Sequence, residues 1–317
     1  MNGLRKIIAI VGPTASGKSS LAVKLAQEFG GEIVSADSRQ IYRELDIGTA
    51  KPSAEERSIV VHHLIDIVNP DQKYSLALFL QDANKIIDEI YSRSKLPIIV
   101  GGTGQYIWGL LEGWKVPSVH PNTQMRLQLE QRAKIEGADL LHQELKTINP
   151  VAASKINSQN VRRVIRALEI HYSSGKDYLD KPVRENPNFD SFIVGLTLER
   201  DVLYEKINKR VDYMMDRGWL KEIEQLIRNG YSPDLPSISS LGYKELYAHL
   251  SDTIPLTEAV NKIKQRTRRF SRQQYAWFKP IDPRINWVQV DANTVKSSTA
   301  HTIRFLNNTK PNVELNS

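Results

Sequence analysis

The chain has 317 residues, a formal net charge of +7 and no cysteine. This length fits one large domain, or a domain that carries an insertion, and the missing cysteine excludes disulfides, thiolate metal sites and cysteine nucleophiles. No stretch is apolar for long enough to predict a membrane span. The composition, 40% hydrophobic and 25% charged, therefore predicts a folded cytoplasmic protein, and its basic excess favours an anionic partner.

The first part of the chain alternates short β-branched runs with helical patterns, which predicts a parallel sheet with helices on both faces. Strands are predicted at residues 6–11, 32–36, 63–67, 97–101, 192–198 and 285–291. Helices of the same part are predicted at 17–29 and 76–92.

The alternation stops between residues 116 and 189, where helical patterns end at glycines and no strand is predicted. We expect an all-helical insertion domain at 116–189, within a core formed by 1–115 and 190–293. Further helices are predicted at 201–217, 219–229, 241–250 and 257–278. Residues 294–317 are predicted to form a polar tail.

One motif lies between the first strand and the first helix and fits G-x-x-x-x-G-K-[ST], the pattern of a phosphate-binding loop or P-loop. Its residues are Gly12, Pro13, Thr14, Ala15, Ser16, Gly17, Lys18 and Ser19. Backbone N–H groups and the helix N-terminus would hold phosphate oxygens, Lys18 would reach the terminal phosphates, and Ser19 would ligate Mg²⁺. The fold class predicted is thus α/β, with a P-loop NTPase-like core.

The loop alone does not define a reaction. A motor or switch ATPase would also show a magnesium-associated aspartate after a long apolar strand. The nearest candidate is Asp66, but the run before it is short and begins with His62 and His63. Lacking clustered partners, these histidines are predicted to be structural and not to hold a metal.

Asp37 follows the second predicted strand. Ligands of open parallel sheets bind beyond the carboxyl ends of the strands, so Asp37 is expected over the same crevice as the P-loop. It would there accept a proton from an attacking group, or orient that group. Alternatively, Asp37 and Ser38 only cap the loop. The residues alone leave both readings open, and a small-molecule kinase would use the crevice in the same way.

Six segments together resemble the tRNA dimethylallyltransferases, also called tRNA isopentenyltransferases. They are "GPTASGKS", "SADSRQIYRELDIGTAKP", "IIVGGTGQYI", "RRVIRALEI", "SSLGYKEL" and "TRRFSRQQYAWF", and they extend from residue 12 to residue 278. In that family the five-carbon group of dimethylallyl diphosphate moves to N6 of the adenine 3′-adjacent to the anticodon. The resemblance implies that diphosphate is the leaving group, that Asp37 is the base, that Lys18 and Arg210 act on the diphosphate, and that Mg²⁺ is the cofactor.

The resemblance also implies contacts with tRNA. The residues concerned are Asp37, Ser38, Arg39, Gln40, Thr103, Arg126, Arg162, Arg163, Val164, Ile165, Arg166, Gly242, Tyr243 and Lys244. The family commonly has arginine at the position of Lys244, so the charge is kept here and a bidentate contact is lost.

Residues 261–280 are basic without interspersed carboxylates. The basic residues are Lys262, Lys264, Arg266, Arg268, Arg269, Arg272 and Lys279. This uniform sign favours contact with an RNA backbone, with Arg268 and Arg272 as tRNA-binding residues, although a solvated face is the usual alternative. Ile263, Phe270 and Trp277 repeat every seven residues, and for these we favour core packing.

A second basic group, Arg162, Arg163 and Arg166, suggests that the insertion clamps the anticodon stem-loop. Its alternative is salt bridging to Glu169 or Asp177. The partners expected are therefore tRNA and dimethylallyl diphosphate, bound by a monomer and without a membrane. An adenylate isopentenyltransferase acting on free nucleotide, a small-molecule kinase and an ATP-gated RNA-binding switch are the rival functions.

Overall fold

The computed structural model describes residues 5–116, 122–175 and 183–307. The chain forms two compact units, one of Met1–Glu112 with Asn186–Ser317 and one of Gly113–Glu185. The sequence placed these divisions at 116 and 189.

The strands are β1 Arg5–Val11, β2 Gly31–Ser35, β3 His62–His63, β4 Leu96–Val100, β5 Trp114–Lys115, β6 Val183–Arg184, β7 Phe189–Thr197 and β8 Ile285–Gln289. The helices are α1 Lys18–Phe29, α2 Ala54–Ile59, α3 Leu76–Ser92, α4 Gly104–Leu111, α5 Thr123–Ile135, α6 Ala138–Ile148, α7 Pro150–Lys155, α8 Val161–Ser174, α9 Arg200–Asp216, α10 Trp219–Arg228, α11 Tyr243–Leu250, α12 Leu256–Trp277 and α13 Thr294–Asn307.

Six strands form one parallel sheet in the order β3-β2-β4-β1-β7-β8. In β1, consecutive residues from Ile7 to Val11 are all buried. Side chains alternate between the faces of a strand, so both faces of the sheet are covered, as is typical of parallel sheets. On one face, Leu21 and Leu25 of α1 pack with Ile8 and Ile10. The predicted P-loop NTPase-like α/β core is confirmed.

Two predictions for this unit are wrong. The third strand, expected at 63–67, contains only His62–His63, because Leu64 and Asp66 have positive φ values of 59° and 57°, which end the extended run. The polar tail expected from residue 294 begins with α13, Thr294–Asn307. This helix buries Thr294, Ser298 and Thr302, whose small polar side chains conceal the helical periodicity.

The second unit has its own core, formed by residues such as Leu141, Leu145, Val164 and Leu168 of α6 and α8. It also contains a short antiparallel ribbon in which β5 pairs with β6, so the insertion is not all-helical as expected. The described parts of the chain contain no helix long and apolar enough to cross a membrane.

Candidate active site

A cavity of about 630 Å³ lies at the carboxyl ends of β1, β2 and β4. The segments that follow these three strands line it: the P-loop, the stretch from Asp37 to Gln40, and the glycine-rich loop 101–104. Side chains of α9 and α12 also line it, as do residues of the segments 48–52 and 239–241. This is the crevice that the connections of a parallel sheet create, and it brings the P-loop and Asp37 together as the sequence predicts.

The P-loop has a backbone that only glycine adopts freely. Gly12 has a φ of +136°, and a Cβ there would lie 2.5 Å from the carbonyl oxygen of Leu196. Lys18 Nζ donates to the carbonyl oxygens of Gly12 (3.0 Å) and Pro13 (2.7 Å). The hydroxyl of Ser16 is fully buried and has no hydrogen-bond partner in the described chain, and such a group is typical of a site that accepts a further polar ligand.

Lys18 lies among charged groups. Burial, followed by the charge of Arg210, lowers the pKa of Lys18 to about 7, whereas the charge of Asp37 opposes this shift. Burial likewise lowers the pKa of Arg210, and Asp37 again opposes it. The cavity is thus lined by the cations Lys18, Arg39 and Arg210 and by the carboxylate of Asp37, a balance that favours an anionic ligand.

Both readings of Asp37 fit its geometry. One carboxylate oxygen, Oδ1, accepts the backbone N–H of Arg39 at 2.8 Å, as a loop cap does. Within the described residues, the other oxygen has no hydrogen-bond partner, and Asp37 lines the cavity. The cap thus fixes the orientation of the carboxylate and leaves one oxygen able to accept a proton.

Helix α9 presents Arg210 to the cavity together with Ile207, Val211 and Met214, which share one helical face. Of the neighbouring cations on this helix, Lys209 pairs with Glu205. Helical spacing therefore selects Arg210, the residue that the family resemblance indicates.

The predicted tRNA-binding residues that follow β2 and β4 are held by hydrogen bonds to other loops of the first unit. Thr103 Oγ1 accepts the backbone N–H of Ser38 at 3.0 Å. Arg39 donates to the carbonyl oxygen of Pro236 at 2.5 Å, and Gln40 donates to that of Ala50 at 3.1 Å. All of them except Pro236 line the cavity.

Core packing was the wrong prediction for two aromatic residues of α12. Ile263 is buried, but Phe270 and Trp277 are 41% and 45% exposed and line the cavity. The seven-residue spacing does keep the three on one helical face. That face passes from the core to the cavity, which periodicity does not reveal.

Three of the basic residues of α12 are paired with carboxylates. Lys262 pairs with Glu258 on the same helix, while Lys264 and Arg266 pair with Asp212 and Glu245 on other helices, so the run is less free than its uniform sign suggests.

Arg268 and Arg272 instead stack on the ring of Tyr204 of α9, as does the exposed Arg200 of the same helix as Tyr204. The three guanidinium groups have no carboxylate partner within the described chain. The sequence reasoning missed Arg200 and Tyr204, because stacking partners on separate helices leave no local pattern.

In the second unit, the salt-bridge alternative is observed for part of the arginine group. Glu169 is fully buried and accepts from Arg126 at 2.7 Å and from Arg166 at 2.5 Å. Arg162 and Arg163 are exposed, whereas Asp177, the other partner considered, lies outside the described residues.

Val164 and Ile165 are buried in the core of this unit. Their side chains are therefore not available to a ligand in this structure, and the contact of these two residues with tRNA stays a prediction. The segment 162–166 was taken as one stretch, and a helix turns every second or third of its residues inward.

The predicted tRNA-binding stretch 242–244 is also divided by burial. Tyr243 is fully buried and donates to Glu222 at 2.7 Å, so its side chain is engaged inside the fold, and the contact of this residue with tRNA stays a prediction. Gly242 has a φ of +91°, and a Cβ there would lie 2.0 Å from the Trp219 ring. Lys244 is exposed.

Glu222 and Gln274 are polar residues of the site region that the sequence reasoning missed. The Glu222 carboxylate accepts the backbone N–H groups of Asp46, Ile47 and Gly48, and so fixes the segment after Asp37. Gln274 accepts from Thr14 in the P-loop. Both act on backbone groups distant in sequence, which no motif encodes.

The residues considered for metals have structural partners. His62 contacts the carbonyl oxygen of Val60, and His63 contacts Glu32. Asp66 is paired with Lys51 and Arg57 and does not line the cavity. Within the described ranges no three His, Cys, Asp or Glu residues form a metal-binding group.

The sheet order, the P-loop and the cavity define a P-loop NTPase-like α/β protein. In it, a carboxylate lines the same cavity as the phosphate-binding loop. Comparisons with known proteins specify the family. The profile of the family described as IPP transferase matches residues 40–280, and that of isopentenyl transferase matches residues 5–64.

Individual relatives agree with these profiles. A protein of Thermomicrobium roseum named tRNA dimethylallyltransferase is 47% identical over 290 residues, which are 92% of this chain and 88% of that protein. The crystal structure of the tRNA isopentenylpyrophosphate transferase of Bacillus halodurans is 38% identical, with a TM-score of 0.70 and coverage of 95% of both chains.

A structure described as a eukaryotic dimethylallyltransferase acting on tRNA has a TM-score of 0.81 at 28% identity, covering 97% of this chain and 81% of that one. The chain belongs to the IPP transferase family.

Proposed function

We propose that the protein transfers the dimethylallyl group of dimethylallyl diphosphate to N6 of the adenine 3′-adjacent to the anticodon in tRNA, and releases diphosphate. Relatives at 47% and 44% identity carry the name tRNA dimethylallyltransferase. The observation that carries the proposal is that Asp37, Lys18 and Arg210 line one cavity at the P-loop. A base and an anion cradle are the two elements that this displacement needs.

We assign the diphosphate to the P-loop, with Lys18 and Arg210 as its cations. During transfer, the lone pair of adenine N6 forms a bond to C1 of the prenyl group. The C1–O bond breaks, and its electron pair leaves with the diphosphate. Negative charge then grows on the phosphate oxygens, where loop amides and cations already in position stabilise the transition state more than the ground state.

Asp37 is the proposed acceptor of the N6 proton. Its Oδ1 is engaged by the Arg39 N–H, so the second carboxylate oxygen would face the amino group. A carboxylate in this position removes the proton as N6 becomes positive, which prevents reversal of the bond formation.

Mg²⁺ is the proposed cofactor. Ser19 and Asp37 both line the cavity. Hard oxygen donors of this kind suit Mg²⁺, which commonly takes only one or two protein ligands and completes its shell with phosphate oxygens and water. When bound, the ion would neutralise charge on the diphosphate, and Ser19 is the residue proposed to hold it.

The tRNA is proposed to bind through cations at the surface. Among them are Lys244, Arg272 and the half-buried Arg268 in the first unit, and Arg162 and Arg163 in the second. An adenine must leave its stack before N6 can enter a cavity, and single-stranded loops allow this at small cost. Phe270 and Trp277, exposed in the lining, offer faces on which a purine could stack. The cytoplasmic location and the monomeric state of the protein stay predictions from the sequence.

The test is one set of incubations of the purified protein with Mg²⁺ and dimethylallyl diphosphate. One reaction contains unmodified tRNA, and the parallel ones contain AMP or ATP. Mass analysis of nuclease digests should show a dimethylallyl adduct on the adenine 3′ of the anticodon and none on free nucleotide. Prenylation of AMP without prenylation of tRNA would replace the proposal with the adenylate-specific alternative.

A further inference from the structure

The side chain of Gln274 connects two loops that line the cavity and follow the adjacent strands β1 and β4. Gln274 lies on α12, is 4% exposed, and accepts the backbone N–H of Thr14 through Oε1 at 2.7 Å. Its Nε2 donates to the carbonyl oxygen of Gly102 at 3.1 Å. Since a backbone N–H only donates and a carbonyl only accepts, these partners determine the orientation of the amide.

The glycines around this connection are packed so closely that none has room for a side chain. A Cβ on Gly102 would lie 2.2 Å from Gln274 Nε2, and one on Gly104 would lie 2.3 Å from the Trp277 ring. A Cβ on Gly101 would lie 2.1 Å from the carbonyl oxygen of Ala36 at the end of β2. The glycine-rich loop is therefore confined between α12 and the segment that leads to Asp37.

From Gly102 the connection continues to the proposed base. The next residue, Thr103, accepts the backbone N–H of Ser38 at 3.0 Å through its hydroxyl. Ser38 follows Asp37, whose carboxylate is itself held by the Arg39 N–H. A path of hydrogen bonds and short covalent segments thus leads from the P-loop, through Gln274, to the carboxylate of Asp37.

We infer that Gln274 is a positioning residue, which sets the separation between the P-loop and the side of the cavity that receives the adenine. The inference rests on the proposed function. In-line displacement requires N6, C1 and the leaving oxygen to be aligned within a few tenths of an ångström, and a misplacement of about 1 Å costs roughly 10²-fold in rate. Because Gln274 belongs to α12, it also links the helix that carries Arg268 and Arg272 to the donor loop.

The first test compares Gln274→Met with Gln265→Met, a substitution of an exposed glutamine on the same helix. Methionine has a similar length and no amide. We expect Gln274→Met to lower the single-turnover rate at saturating substrates by about 10²-fold. The dissociation constants for tRNA and for the unreactive dimethylallyl thiolodiphosphate should stay near those of the wild type, and Gln265→Met should match the wild type.

A second variant, Gln274→Glu, separates positioning from simple stabilisation. The protonated acid can accept from Thr14 and donate to Gly102 as the amide does, whereas the carboxylate cannot donate. The ratio of its single-turnover rate to that of the wild type should therefore rise as the pH falls. Taking the ratio removes the titration of groups that both proteins share.

Three outcomes would overturn the inference. They are a folded Gln274→Met variant that transfers at the wild-type rate, a loss confined to substrate affinity, and a Gln274→Glu ratio that does not change with pH. The wild type serves as the reference in each assay. If the wild type transfers the prenyl group to tRNA and the Gln274 variants transfer it equally fast, only the inference fails. If the wild type itself shows no transfer, the proposed function is refuted.

Discussion

Neutralising Arg268 and Arg272 together should weaken the salt dependence of tRNA binding. Both side chains stack on Tyr204 and have no carboxylate partner within the described chain. Each phosphate contact contributes about 0.7 to 0.9 to the slope of log K against log salt concentration, with the lower value for single strands. If each arginine contacts one phosphate, the variant Arg268→Gln/Arg272→Gln should lose about 1.4 to 1.8 from the slope.

The same helix provides the control. Lys262 and Lys264 already pair with Glu258 and Asp212, so Lys262→Gln/Lys264→Gln removes the same formal charge from cations that are internally compensated. The assay is fluorescence anisotropy of a labelled anticodon stem-loop at salt concentrations from about 50 to 200 mM, where phosphate contacts have large effects. An unchanged slope in the arginine variant, or equal losses in both variants, would remove these arginines from the interface.

Three further predictions concern the interior. Lys18→Met should lower kcat by about 10²–10³-fold, because the substitution removes a positive charge that stabilises the leaving diphosphate; a steady-state effect confined to the KM for tRNA would contradict this. Glu169→Gln should destabilise by about 3 kcal/mol in urea unfolding, since two partly buried arginines lose their carboxylate. Burial raises the pKa of Glu169, but hydrogen bonds from Arg126 and Arg166 outweigh this and hold that pKa below its usual range. The contribution of Glu169 to the free energy of unfolding is therefore complete above the ordinary glutamate pKa of about 4.3. It disappears as the pH falls through the lower pKa of the folded state. A stability difference between wild type and variant that persists in acid would exclude the ion pairs as its cause. Gly48→Ala should lower the free energy of unfolding by about 1–3 kcal/mol through overpacking, because the alanine Cβ would lie 2.1 Å from Trp219 Nε1. Unchanged stability in urea would show that the surrounding residues move to accommodate the methyl group.

The sequence predicted the parts of the site that depend on local patterns. The P-loop lies between a strand and a helix as its motif requires, and Asp37 follows a strand that ends at the same edge of the sheet. These positions follow from strand periodicity and the rule that parallel sheets bind ligands at one edge. The same logic predicted the core sheet.

What escaped prediction depends on contacts distant in the chain. Gln274 is recognisable only once α12 is packed against the P-loop and the glycine-rich loop. Phe270 and Trp277 share a helical face with the buried Ile263, yet only the fold distinguishes a face that meets the core from one that meets a cavity. Helix α13 was hidden because the residues it buries are small and polar.

The central claim, that one cavity pairs a proton acceptor with a departing diphosphate, is tested most directly by Asp37→Asn. The asparagine oxygen can still accept the Arg39 N–H, so the loop cap is kept while the base is removed. Single-turnover transfer to tRNA should fall by about 10²–10⁴-fold, with tRNA affinity nearly unchanged. Transfer at the wild-type rate would show that Asp37 is only a cap and would contradict the account.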